Sequence, residues 1–232
     1  MLPIRDDAPR YSTPYVNYLL IALNLLIFVF ELTLPHEDVN AFVMQFGVVP
    51  ANIPASMHLG GHVSFAAAYL PLLTSMFLHA SWLHVIFNMW FLWIFGDNVE
   101  DYLGHFRYLL FYLGTGIIAS LVHILFNWGS SIPSVGASGA IAGIMGAYFV
   151  LYPGARVLTL VPFFFIFLTW LPAWIVLGYW FVLQFLSGAA TAIAYSNQTA
   201  GGVAVWAHVG GFIAGLGLIK VVPARRNRFS YS

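Results

Sequence analysis

Apolar residues in this chain run in long blocks separated by short polar breaks, and block length decides the architecture they predict. A helix crosses roughly 30 Å of hydrocarbon in about 20 residues. Six blocks reach or approach that length, over residues 15–34, 72–95, 106–127, 138–152, 171–193 and 203–222. The pattern therefore predicts an all-α fold, a polytopic membrane protein with six transmembrane helices. A seventh apolar stretch, 157–168, is short and bracketed by Pro153, Pro162 and Pro172, which predicts an interfacial or re-entrant approach to the fifth helix. The first block is too long for a signal-peptide core and is read as a retained helix. The expected organisation is a cytoplasmic segment over 1–14, a six-helix membrane domain over 15–222 and a basic cytoplasmic tail over 223–232.

The fourth block is unusually short. From Ser138 to Tyr152 it is about 22 Å long at 1.5 Å per residue, less than the hydrocarbon thickness. Pro153, Gly154 and Arg156 fix one end at the cytoplasmic surface, so the end carrying Ser138 is expected below the outer surface, with 129–137 dipping in to meet it. Irregular backbone at that depth is tolerated only inside protein or beside a water-filled cavity. The long connection 35–71 has no charge after Asp38 and carries Phe42, Phe46 and Phe65, so it is expected in the interface plane.

Charge sets the orientation. Arg5, Arg10, Arg107, Arg156, Lys220, Arg225, Arg226 and Arg228 all fall on one side of a six-span arrangement, and the loops 35–71, 128–137 and 194–202 contain no Lys or Arg. Cytoplasmic loops are enriched in those residues, which predicts both termini in the cytoplasm. With 61% hydrophobic and 7% charged residues and a mean hydropathy of +0.86, the chain lies far from soluble composition. A net charge of zero argues against nucleic acid as a partner. The chain has no cysteine, hence no disulfide or thiolate metal site. His58 and His62 have ligand-like spacing, but Gly60 and Gly61 interrupt the helix that would align them and zinc requires further ligands, so no metal is expected.

Polar residues inside such blocks are expensive, and each needs a reason. Ser138 lies in Gly136-Ala137-Ser138-Gly139, and His208 in Ala207-His208-Val209-Gly210-Gly211. Serine at a helix start serves commonly as a cap, and a bundle histidine can simply bond a neighbour. The two nevertheless sit at the outer ends of two helices thinned by Gly139, Gly143 and Gly146 on one and by Gly211 and Gly215 on the other. Small-residue faces let helix backbones approach, which would bring the imidazole to the hydroxyl. His84 and Asn88, spaced i, i+4, project from one face of the second helix, as structural glue or as donors to an oxyanion. None of the eight acids has a spacing that points to His208, so the reading is a Ser-His dyad rather than a triad. Asn17, Asn24 and Glu31 recur every seven residues and predict a polar stripe facing the bundle, while Trp90, Trp93, Trp170, Trp174 and Trp180 read as packing and interface aromatics.

Three ordered motifs, His84-Val85-Ile86-Phe87-Asn88, Gly136-Ala137-Ser138-Gly139 and Ala207-His208 through Gly215, together resemble the rhomboid intramembrane serine proteases. The stretch from Gly96 to Gly104, with Glu100, resembles the family's turn after the second helix. The resemblance implies a rhomboid-like bundle with a short central fourth helix. It also implies Ser138 as nucleophile, His208 as general base, and His84, Asn88 and the Ser138 amide as oxyanion donors, with Gly136 shaping the turn. Substrates would be single-pass transmembrane proteins cleaved near the outer membrane face, with the lipid bilayer as the other partner and no cofactor. The sequence departs from well-known members at Ala142, where a tyrosine supports the histidine, and in lacking a Trp-Arg pair in the first outer loop. The alternatives are a non-catalytic rhomboid-like protein that binds transmembrane clients, or a small transporter, for which an internal repeat is expected and none is present in the sequence. The expected compartment is a bacterial or archaeal plasma membrane.

Overall fold

The computed structural model describes residues 1–57, 63–162, 166–194 and 204–225. Helix α1 (Tyr15–Glu31) buries Asn17, Leu20, Asn24, Phe28 and Glu31, so the heptad polar stripe does face the bundle. Each polar member has a partner: Asn17 Nδ2 donates to the Leu92 carbonyl at 3.1 Å, Tyr108 donates to Asn17 Oδ1 at 2.7 Å, and Asn24 Nδ2 donates to the Leu20 carbonyl at 2.8 Å. Glu31 accepts the His79 backbone N–H at 3.2 Å.

The connection expected in the interface plane contains three short helices, α2 (His36–Phe46), α3 (Asn52–Met57) and α4 (Phe65–Tyr69). Helix α5 (Pro71–Thr74) and a 3₁₀ turn (Ser75–Phe77) follow, and the chain then bends by 77° into α6 (Trp82–Leu103). The expected second helix over 72–95 is thus corrected at both ends. Apolarity is continuous across residues 72–95, but Ser81 interrupts the helix as an N-cap, its hydroxyl accepting the His84 N–H at 3.3 Å. At the other end α6 runs on to Gly104, whose φ of 77° suits glycine. The extension carries Glu100 into the interior, where its carboxylate accepts the N–H groups of Val16 and Asn17 at 3.0 and 2.7 Å. Those amides are orphans of the first turn of α1, which Pro14 cannot cap with a side chain.

Helices α7 (His105–Phe126), α8 (Ser138–Leu151), α9 (Ala173–Ala194) and α10 (Val205–Leu218) complete the bundle. Helix α7 and the first 18 residues of α9 are each long and apolar enough to cross a membrane, and the bent pair 65–77 and 82–103 passes as one broken span. Helices α1, α8 and α10 are apolar but shorter. Helix α8 has 14 residues, about 21 Å, and is buried from Gly139 through Tyr148 among α6, α7 and α10. Its glycines explain the central position. A Cβ on Gly211 or Gly215 would collide with the carbonyl oxygen of Gly139 or Gly143, and one on Gly146 with that of Phe212. The backbones of α8 and α10 therefore touch, an approach that larger residues at these positions would prevent.

The all-α expectation needs a second correction. The strands β1 (Leu2–Asp6), β2 (Arg156–Pro162) and β3 (Ile166–Pro172) form an antiparallel sheet in that order, with Leu2 opposite Leu160 and Val157 opposite Leu171. The stretch expected to enter the fifth helix as an interfacial or re-entrant segment is thus a hairpin. Its prolines sit at strand ends, where a missing N–H costs no ladder bond, and Val157 and Thr159 alternate into the core. Residues 2–6, expected in a segment preceding the bundle, add the third strand. Trp90 of α6 ties that strand down by donating to the Pro3 carbonyl at 2.7 Å.

Candidate active site

Helix α8 begins at Ser138, but Ser138 does not cap it. The N-cap is Ala137, no side chain bonds the first-turn amides, and the Ser138 Oγ lies 2.7 Å from His208 Nε2. His208 is buried in the first turn of α10. The contact follows from the glycine seam. Gly139 and Gly211, one and three residues beyond Ser138 and His208, lie where the two backbones meet.

The chain approaching Ser138 is held by backbone bonds on both sides. Val48 and Ser134 exchange N–H···O bonds of 2.9 and 2.8 Å, and the Gly136 N–H donates to the Ser75 carbonyl at 2.8 Å. Gly136 has φ 130°, a conformation that side chains strain to adopt. A Cβ there would also lie 2.7 Å from His84 Cε1 and Nε2 and 3.7 Å from Asn88 Nδ2. The i, i+4 pair on α6 is therefore brought against the turn two residues before Ser138. The Asn88 side-chain amide nitrogen is buried and donates to no described residue. His79, five residues before His84, stacks edge-on against it with ring centroids 5.1 Å apart.

Two residues that the sequence reading did not assign to the site complete it. Gln184 of α9 places Oε1 2.9 Å from His208 Nδ1, and the Trp180 ring, one turn earlier, lies 5.8 Å from the imidazole centroid at a 40° tilt. The support that Ala142 cannot give comes from α9 instead. The available signal was the single glutamine of a strongly apolar helix. Among the described residues no carboxylate bonds to His208, while Asp97, Glu100 and Asp101 lie toward the far end of α6 from His84. His58 and His62 fall outside the described residues, and no group of three or more potential metal ligands occurs among the described ones.

A serine hydroxyl within hydrogen-bond reach of an imidazole, with a glycine turn and side-chain donors alongside, is an arrangement suited to nucleophilic acyl transfer. The family model for the Rhomboid domain matches residues 66–225. The chain is 31% identical over 156 residues to presenilin-associated rhomboid-like protein A, mitochondrial, of Danio rerio, covering 63% of this chain and 36% of that protein. It is 36% identical over 135 residues to the rhomboid protease GluP of Bacillus subtilis (strain 168), covering 58% and 24%, and 44% identical over 77 residues to rhomboid-like protein 11, chloroplastic, of Arabidopsis thaliana, covering 33% and 27%. The match thus spans about a quarter to a third of these relatives' own length. Their names do not single out one membrane, and the expectation of a bacterial or archaeal plasma membrane draws no support from them.

Proposed function

Because this chain belongs to the rhomboid family, and because its Ser138 and His208 side chains are in hydrogen-bond contact, we propose that it is a serine endopeptidase acting on single-pass transmembrane proteins. The observation that carries the reading is the 2.7 Å contact between Ser138 Oγ and His208 Nε2. A protein that merely held transmembrane clients would have no need of it.

In this reading Ser138 Oγ bonds to the scissile carbonyl carbon as its proton passes to His208 Nε2. The tetrahedral oxyanion is met by donors from His84, Asn88 and the Ser138 backbone amide. Collapse breaks the C–N bond, and the proton on Nε2 leaves with the amine. Water then adds to the resulting ester by the same proton route, regenerating the serine. Helices α1, α6, α7, α8, α9 and α10 are taken to cross the bilayer, with both termini on the side opposite Ser138. No metal or cofactor is assigned.

The test is cleavage of a reconstituted single-pass substrate by wild type, Ser138→Ala and His208→Ala. Cleavage by wild type alone supports the proposal, and equal turnover by all three refutes it. A serine-reactive phosphonate should label wild type and leave Ser138→Ala unmodified.

A further inference from the structure

His208 has two ring nitrogens, and the serine contact uses one. A neutral imidazole carries a single N–H, so whichever nitrogen donates leaves the other as acceptor. Only the tautomer protonated at Nδ1 presents a lone pair at Nε2 to the Ser138 hydroxyl. Something must select that tautomer, and in the serine-histidine-aspartate arrangement a carboxylate does so.

Here the atom facing Nδ1 is Gln184 Oε1, at 2.9 Å. A carbonyl oxygen can only accept, so Nδ1 must donate. The three groups then form one directed chain: Ser138 Oγ–H to Nε2, and Nδ1–H to Gln184 Oε1. We propose that Gln184 is a positioning residue for the dyad, one that fixes the tautomer and the ring plane of His208 from a third helix. The proposal rests on the proteolytic reading above. The local packing agrees with it. Trp180, four residues earlier and on the same face of α9, lies against the ring, whereas Ala142 on α8 offers it no side-chain support.

Gln184 differs from a carboxylate in one respect. It supplies an acceptor without a full charge, so it orients the ring without attracting the charge that develops on the imidazolium. It also sits on a helix whose outer face is exposed. Trp174, Val182, Leu183, Phe185 and Leu186 of α9 are all exposed, while Leu177 is fully buried on the inner face. The orienting bond therefore depends on α9 keeping its place against α10.

The rival explanation is that Gln184 is a structural hydrogen bond between two helices. Three enzymes separate the two when turnover is compared at equal folded fraction: wild type, Gln184→Met, which keeps the length and loses the acceptor, and Gln184→Glu, which keeps the acceptor. The expected result is a fall in kcat of about 100-fold for Gln184→Met with KM within about twofold, as for other losses of catalytic alignment. Gln184→Glu should recover kcat to within about threefold of wild type. Phosphonate labelling of Ser138 should slow in Gln184→Met by a factor similar to that in kcat.

Wild-type kcat in Gln184→Met, or an equal loss in Gln184→Met and Gln184→Glu, overturns the positioning role. Both outcomes presuppose that wild type cleaves and Ser138→Ala does not. If wild type and Ser138→Ala are indistinguishable, it is the proteolytic reading that fails.

Discussion

Asn88 carries a buried amide nitrogen that donates to no described residue, next to a turn that has no room for a side chain at Gly136. A buried donor left unpaired costs about 1–3 kcal/mol, which a folded protein tolerates best where a ligand completes the bond. If Asn88 and His84 donate to an oxyanion, each replaced singly by alanine should lower kcat about 100-fold, with a smaller effect on KM. Steady-state cleavage of the reconstituted substrate measures this. Unchanged kcat in both variants would leave the pair as structural glue. Gly136→Ala should be at least as damaging, since the added methyl meets both a φ of 130° and the His84 ring at 2.7 Å. At this scale the sequence was informative about Ser138, His208, His84 and Asn88, because a polar residue in an apolar block stands out. Gln184 was equally visible but had no fixed spacing to His208, and a contact between helices 24 positions apart in sequence cannot be read from spacing.

Two elements behave in ways that local pattern conceals. The hairpin of β2 and β3 is apolar on both faces, so the period-two alternation that reveals a half-buried strand is weak there. Likewise, nothing in the apolar count over 72–95 marks the bend before α6; the signal is Ser81 acting as an N-cap. The glycine seam was legible, because its three- and four-residue spacing survives in the packing. Gly215→Val should therefore destabilise the protein by at least about 1–3 kcal/mol through overpacking against the Gly143 carbonyl. Gly217 on the same helix has open space around its Cβ position, and Gly217→Ala should be neutral or stabilising by up to about 1 kcal/mol. Melting temperatures in detergent compare the two, and equal losses would contradict the seam.

The sheet makes a separate prediction about pH. Burial pushes the Asp6 carboxyl up to about 6, assisted by the negative charges of Asp97 and Asp7 and opposed by a hydrogen bond from the Tyr148 hydroxyl. Between the unfolded value near 3.8 and about 6, the folded protein holds a proton that the unfolded chain has released. This group's contribution to stability therefore falls as pH rises through that window and is level above it. Asp6→Asn should match wild type at the acid end of the window and become progressively more stable up to about pH 6. A melting-temperature difference that does not change with pH would contradict the assignment.

Across the whole molecule, the six apolar blocks identified the six principal helices, yet length and composition alone qualify two of those helices, or three counting the bent pair, as spans among the described residues. The rest are short because they are held in the bundle by partners rather than by hydrocarbon thickness: α1 by its buried polar stripe, α8 by burial on all sides and α10 by the seam. The chain has no cysteine, so a single introduced thiol reports one position. With six spans, Leu32→Cys and Trp128→Cys should react with an impermeant maleimide from one side of the membrane, and Tyr11→Cys and Val221→Cys from the other; all four wild-type side chains are exposed. Labelling of positions 11 and 221 from opposite sides would mean an odd number of crossings.

The seam between α8 and α10 also acts as a gauge. The Ser138 Oγ and His208 Nε2 atoms, 2.7 Å apart, reach each other from two backbones that are themselves in contact at the seam, with no side chain between them there. A methyl group at 211 would lie 2.0 Å from the Gly139 carbonyl oxygen, so the helices would have to part by about 1 Å, more than the spread of donor–acceptor distances over which a good hydrogen bond is found. Spacing defined by main-chain atoms cannot be tuned gradually by exchanging one side chain for a slightly larger one. Residues along this line must therefore lack bulk, and the approach of Ser138 to His208 follows from the backbone path itself.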